Sequence, residues 1–149
     1  MHEIINARQI TEVEKILNEL HKSVTRSLRQ RDNSNRDGMD ISLCMIDLTT
    51  NMLEYAGAKS PLYYIQDGTL EEIRGTKMSI GGYYKELEAE RAFSKTVIPI
   101  DKPTYCYMLS DGLQDQFGST DRKKFSRQRI RELLVNIHQK DFEIQKAIV

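Results

Sequence analysis

The stretch "DISLCMIDLTTNMLEYAGA", residues 40–58, decides the fold class because its apolar residues fall at every second position. Ile41, Leu43 and Met45 share one face of an extended chain, and Met52 or Leu53 with Tyr55 repeats the pattern after a polar break. Successive side chains of a strand leave opposite faces of the pleat, so this period of two marks two β-strands. The break "LTTN", residues 48–51, reads as their hairpin connection.

On the N-terminal side the period changes. "ITEVEKILNELHKSVTRSLRQR", residues 10–31, places Ile10, Val13, Leu17, Leu20, Val24 and Leu28 three and four apart, the stripe of an amphipathic helix. Thr11 and Glu14 stand at capping-box spacing, which predicts a helix start at Thr11, and the polar run "RQRDNSNRDG" predicts its end. "HEIINAR", residues 2–8, also reads as helical. On the C-terminal side, "PLYYIQDGTLEEIRG" carries a second hairpin about Asp67-Gly68, a pair that supplies the positive φ angles of a two-residue turn. Gly81-Gly82 opens a charge-rich connection to strand candidates at 93–100 and 104–110, joined through Asp101–Pro103. Phe125, Ile130, Leu133, Leu134 and Ile137 then share a helical face, and "DFEIQKAIV" begins a last helix with Asp141 as its cap. The expected order is helix, six short antiparallel strands, helix, in one domain spanning 1–149.

Composition narrows the function classes. In 149 residues, 22 Lys plus Arg balance 22 Asp plus Glu, so no net field draws the chain to nucleic acid or anionic lipid. No run approaches the ~20 apolar residues of a membrane span, and the expected compartment is the cytoplasm. Cys44 and Cys106 lie in strand-like segments without ligand spacing and read as buried reduced thiols. His2, His21 and His138 are scattered over polar helical surroundings and form no zinc cluster.

The chemistry centres on "YCYMLSDGLQDQFG", residues 105–118, where a strand ends at Asp111 and Asp115 follows four positions later. No alternation follows Gly112, so a hairpin does not fit. An EF-hand loop fails too, because counting from Asp111 puts Gln116 where glycine is needed and Arg122 where a bidentate Glu belongs. Hard cations such as Mg²⁺ and Mn²⁺ require several carboxylates from separate elements. Asp115, and Asp37 and Asp40 in "RDGMD", are the candidate neighbours; a solvated loop acid is the alternative for each. Gly81-Gly82 lacks the lysine and hydroxyl of a Walker-type phosphate loop.

At these residues the sequence resembles the SpoIIE-type serine/threonine phosphatases of the metal-dependent PPM superfamily. "GMD", "AGAKSPL" and "SDGLQDQFG" occur in the family's order and intervals, within a similarity that covers most of residues 10–137. The resemblance implies an α+β fold, an antiparallel β-sandwich flanked by helices, here incomplete. It implies that Asp111 is a metal ligand, and that Mn²⁺ or Mg²⁺ in the intact domain activates a water, so no side chain is the catalytic nucleophile. The implied substrate is a phosphoprotein such as an anti-sigma-factor antagonist, with upstream sensor domains controlling the parent protein.

Two departures qualify what the resemblance implies. Lys59 and Ser60 stand where relatives carry a histidine after Ala-Gly, and the family's early Asp-x-Thr-Gly-His-Gly motif and closing Asp-Asp motif are both absent. The expectation is therefore a central portion of a phosphatase domain that binds metal weakly or not at all and has little turnover alone. Missing partner strands leave a sheet edge through which a homodimer is expected. A non-catalytic interaction module that keeps the fold is the alternative function. An unrelated α+β domain, with "DGTL" and "SDG" as mere turns, is the third reading.

Overall fold

In a computed structural model of the chain, the described residues are 1, 4–5, 10–82, 92–110, 112 and 126–148. The elements are α1 (Val13–Ser27), β1 (Gly38–Met39), β2 (Ile41–Asp47), β3 (Met52–Ala58), β4 (Leu62–Gln66), β5 (Thr69–Ile73), β6 (Ile80–Gly81), β7 (Thr96–Pro99), β8 (Thr104–Met108), α2 (Arg127–Ile137) and α3 (Phe142–Ile148). They form three sheets of order β1-β6, β2-β3-β7 and β5-β4-β8. The chain gathers into two compact units, Met1–Leu62 with Ile73–Asp101, and Tyr63–Glu72 with Lys102–Val149.

In the first unit the β2–β3 hairpin has the register expected of it, Ile41 opposite Ala58 through Asp47 opposite Met52. Its connection is Leu48–Asn51, with Asn51 at a φ of 53°. The N–H groups of Thr49 and Thr50 donate to Asp47 Oδ1 at 2.8 and 3.3 Å. These bonds hold the Asp47 carboxyl below the usual range, the Thr49 amide contributing most. β7 pairs with the other side of β3, Tyr55 opposite Thr96.

α1 lays Val13 and Leu17 into a core with Ala56, Ala58, Ile80 and Phe93, and Leu20, Val24, Ile41, Leu43 and Met45 pack against it. Full burial of an aliphatic side chain contributes about 1.5–3 kcal/mol, so this stripe is what fixes the helix to the sheet. The helix starts one residue later than the capping-box spacing predicts. Glu12 is the N-cap without a side-chain cap bond, and its carboxylate takes Lys15 Nζ at 2.6 Å instead. Leu28 leaves the stripe, 40% exposed, because the helix has closed before it. Lys95 ties the unit across elements, reaching Glu54 at 2.9 Å and Glu14 at 3.8 Å.

In the second unit, Asp67 and Gly68 have φ of 49° and 74°, the conformation that makes the β4–β5 turn. Tyr63, Ile65 and Leu70 pack with Ile130, Leu134 and Ile137 of α2, flanked by Tyr105, Tyr107, Leu109 and Leu133. Ser126 caps α2 by accepting from Arg129 N at 3.3 Å. Alternation along β8 sends Tyr105 and Tyr107 inward and leaves Cys106 exposed, so the expectation of two buried thiols fails at Cys106; Cys44 is half-buried. His138 is also buried, edge-on to Tyr105 at 5.2 Å, rather than on a polar surface. The expected helix at 2–8 and Phe125 lie mainly outside the described residues.

The "AGAKSP" turn is built around Tyr55, whose hydroxyl donates to the Ser60 carbonyl while Ser42 Oγ donates to Ser60 Oγ at 2.7 Å. Gly57 packs so closely that a Cβ there would overlap both partners of that bond. Tyr55→Phe leaves the Ser60 carbonyl without its donor and is expected to cost about 1–2 kcal/mol in urea unfolding. Burial raises the phenol pKa of Tyr55. The native state therefore keeps this proton above the unfolded value of about 10, and the stabilisation is full below that pH and lost as pH rises through the folded value. The stability gap between wild type and Tyr55→Phe should be flat up to about pH 10 and close above it; a gap that widens there would contradict this.

Candidate functional site

The candidate acids Asp37 and Asp40 flank β1, and what places them is a two-residue bridge. Gly38 pairs with Gly81 and Met39 with Ile80. Gly81 and Gly82 have φ of 76° and 66°, and a Cβ on Gly81 would lie 2.9 Å from the Asp37 carbonyl oxygen. That oxygen accepts from Gly82 N–H at 3.0 Å and from Gln30 Nε2 at 2.6 Å. Gln30 is fully buried, so a side chain from beyond α1 fixes the start of the bridge.

His21 completes the support. Its Nδ1 accepts from Gly81 N–H at 3.1 Å, and its ring meets Phe93 edge-on at 6.3 Å. At 5% exposure it belongs to the core and not to the polar helical surface expected from sequence. Its spacing of four from Leu17 is the signal that could have placed it on the buried stripe.

Both flanking carboxylates are exposed and both take neutral donors. Asp40 Oδ1 accepts from Ser79 Oγ at 2.7 Å. Asp37 Oδ2 accepts from Asn35 Nδ2 at 3.0 Å, while Asp37 N–H donates to Asn35 Oδ1 at 2.8 Å. Asp111 and Asp115 lie outside the described residues; β8 ends at Met108, three positions before Asp111. Lys59 is exposed with a φ of 52°, and Ser60 is engaged by Tyr55 and Ser42. Among the described residues no three His, Cys, Asp or Glu side chains come together to hold a metal ion. The described acids do not by themselves fit a divalent cation.

Residues 2–148 match the family model described as Stage II sporulation protein E (SpoIIE). The chain belongs to the SpoIIE family. It therefore carries a PPM-type phosphatase domain. The SiaA-PP2C domain of Pseudomonas aeruginosa has the same fold, with a TM-score of 0.81 and 23% identity over 98% of this chain and 55% of that one. The chain thus spans about half the length of that solved chain, and the α+β arrangement is that of a partial PPM fold. No curated protein matches the sequence. PPM phosphatases generally use Mn²⁺ or Mg²⁺. No helix among the described residues is long and apolar enough to cross a membrane.

Gly81→Ala brings a Cβ against the Asp37 carbonyl in a left-handed conformation and is expected to cost about 2–4 kcal/mol. A lowered urea midpoint at unchanged slope checks this. Wild-type stability in Gly81→Ala would show that the bridge does not hold the acids in place.

Proposed function

We propose that the chain is part of a cytoplasmic protein phosphatase that removes phosphate from serine or threonine side chains of a signalling protein, an anti-sigma-factor antagonist being the model substrate. Upstream sensor domains of the parent protein would control it. The observation that carries this reading is SpoIIE-family membership across residues 2–148, combined with the sequence motif Ser110-Asp111-Gly112, which begins two residues after β8. Asp111 is the candidate ligand for Mn²⁺ or Mg²⁺, and Asp115, Asp37 and Asp40 are the further candidate acids of the sequence. The two further acidic motifs of the family are missing from the sequence, so this chain alone is expected to turn over little and to bind the metal weakly.

A second reading, a non-catalytic interaction module, draws support from the engagement of Asp37 by Asn35 and of Asp40 by Ser79. Hydrolysis of a phosphoserine peptide with Mn²⁺ separates the two. The chain alone should match the buffer blank. A longer protein carrying both acidic motifs should turn over, and Asp111→Ala should lower its rate by about a hundredfold or more, since a lost ligand forfeits several kcal/mol of charge stabilisation. Unchanged turnover in that variant would remove Asp111 from the reaction. Activity of the chain alone, abolished by Asp111→Ala, would overturn the expected inactivity.

We further propose that the chain self-associates along the outer side of β2. Among the described residues β2 lies at one end of its sheet, and Ile46 within it and Leu48 just beyond it are 56% and 79% exposed. An edge strand with exposed apolar residues is a template for a second copy. Light scattering at high protein concentration should give a dimer that Leu48→Lys shifts to monomer; a strictly monomeric wild type refutes it.

A further inference from the structure

The charges of this electrically neutral chain are unevenly placed. Lys22, Thr25, Arg26, Arg29, Arg31 and Asp32 line a cavity of about 410 Å³ at the C-terminal end of α1, where four cations share the walls with one carboxylate. Lys22 is paired with Glu19 at 2.7 Å. Among the described residues Arg26 and Arg29 form no ion pair. The dipole of α1 accounts for a cation in its last turn, where Arg26 stands. It does not account for Arg29 and Arg31, which lie beyond the helix.

Arg29 is held there against a backbone preference. Its N–H donates to Arg26 O at 3.0 Å and the Gln30 N–H donates to Thr25 O at 3.0 Å, the paired closure of a Schellman motif. The left-handed position of that motif is usually glycine, yet Arg29 occupies it with a φ of 48°. A glycine would close the helix with less strain, but it would bring no guanidinium to the cavity. The wall also contains Thr25, only 3% exposed, whose hydroxyl has no hydrogen-bond partner among the described residues.

We propose that this cavity binds a phosphomonoester or phosphate dianion, supplied either as inorganic phosphate or as a phosphorylated side chain of a partner protein. Guanidinium forks match phosphate oxygens two at a time and stay charged throughout the physiological range. Arg26 and Arg29 offer two such forks on a wall that also carries Arg31 and Lys22. The site contains none of the candidate metal ligands, so its binding needs no divalent cation. Occupancy would also bear on the acid-flanked bridge, because Gln30, between Arg29 and Arg31, donates to the Asp37 carbonyl.

Calorimetric titration of the full chain in EDTA, with inorganic phosphate, a phosphoserine peptide and its unphosphorylated counterpart, tests the proposal apart from any metal-dependent activity. The phosphate-bearing probes should bind, more weakly as salt rises, and the unphosphorylated peptide should not. Arg29→Gly should weaken binding about tenfold while melting at the same or a higher temperature, because glycine suits the cap. Arg26→Gln, on the exposed side of the helix, should weaken it similarly. Tighter binding of the phosphopeptide than of phosphate identifies a protein side chain as the ligand, and equal binding identifies phosphate itself. No binding of either, equal binding of the unphosphorylated peptide, or unchanged affinity in both variants overturns the proposal.

Discussion

The close approach of two backbones at Gly38 and Gly81 is the constraint on which the placement of the candidate acids depends. The Asp37 carbonyl lies within hydrogen-bond reach of Gly82 N–H only because no Cβ intervenes at Gly81. The Gly81 N–H in turn is taken by His21 from α1, and the same carbonyl is taken by the buried side chain of Gln30. A buried peptide group left without a partner costs about 1–3 kcal/mol, so these bonds hold one another in place. Loosening the bridge would free Asp37 and Asp40 from their positions at the two ends of β1.

α1 connects this constraint to the core. Val13 and Leu17 anchor the helix on β3, His21 reaches the bridge one turn further on, and the Schellman closure at Arg29 turns the chain so that Gln30 points back under Asp37. The same closure lines the basic cavity. One helix therefore sets the hydrophobic packing, the acidic bridge and the cationic pocket, and the order of these features along α1 follows its pitch.

Membership of the SpoIIE family gives the domain type, and the shared fold with a PP2C domain gives its architecture. The candidate acids Asp37 and Asp40 accept from Asn35 and Ser79, and among the described residues no three acids, histidines or cysteines come together to hold a metal ion. A two-cation centre asks for acids from several elements at once. Asp111, three positions beyond the last residue of β8 in the sequence, is the residue proposed for such a centre.

The hairpins and the two striped helices were legible in the sequence because their signals are local. Alternation over 41–58 and 62–73, and the Asp67-Gly68 turn, depend only on residues that are neighbours along the chain. Ile130, Leu134 and Ile137 announced the buried face of α2 in the same way. The start of α1 falls past Thr11, with Glu12 as the N-cap; Glu14, the acid of the expected box, lies 3.8 Å from Lys95, a contact with a distant residue that spacing cannot show. Cys106 was misread because both faces of a short apolar strand look alike until one of them is covered.

The sequence by itself determined the six longer strands, the striped helices and the family, carried by short-range periodicity and motif spacing, while the two-residue strands β1 and β6 were not in the expected six. Only the tertiary structure decided that Gly38 meets Gly81, that His21 is a core acceptor, and that Arg26, Arg29 and Arg31 share a cavity. Those pairings join residues far apart in the chain or separated by a change of backbone direction. Two-residue strands carry too few side chains to encode a register, so their partners are set by the packing around them.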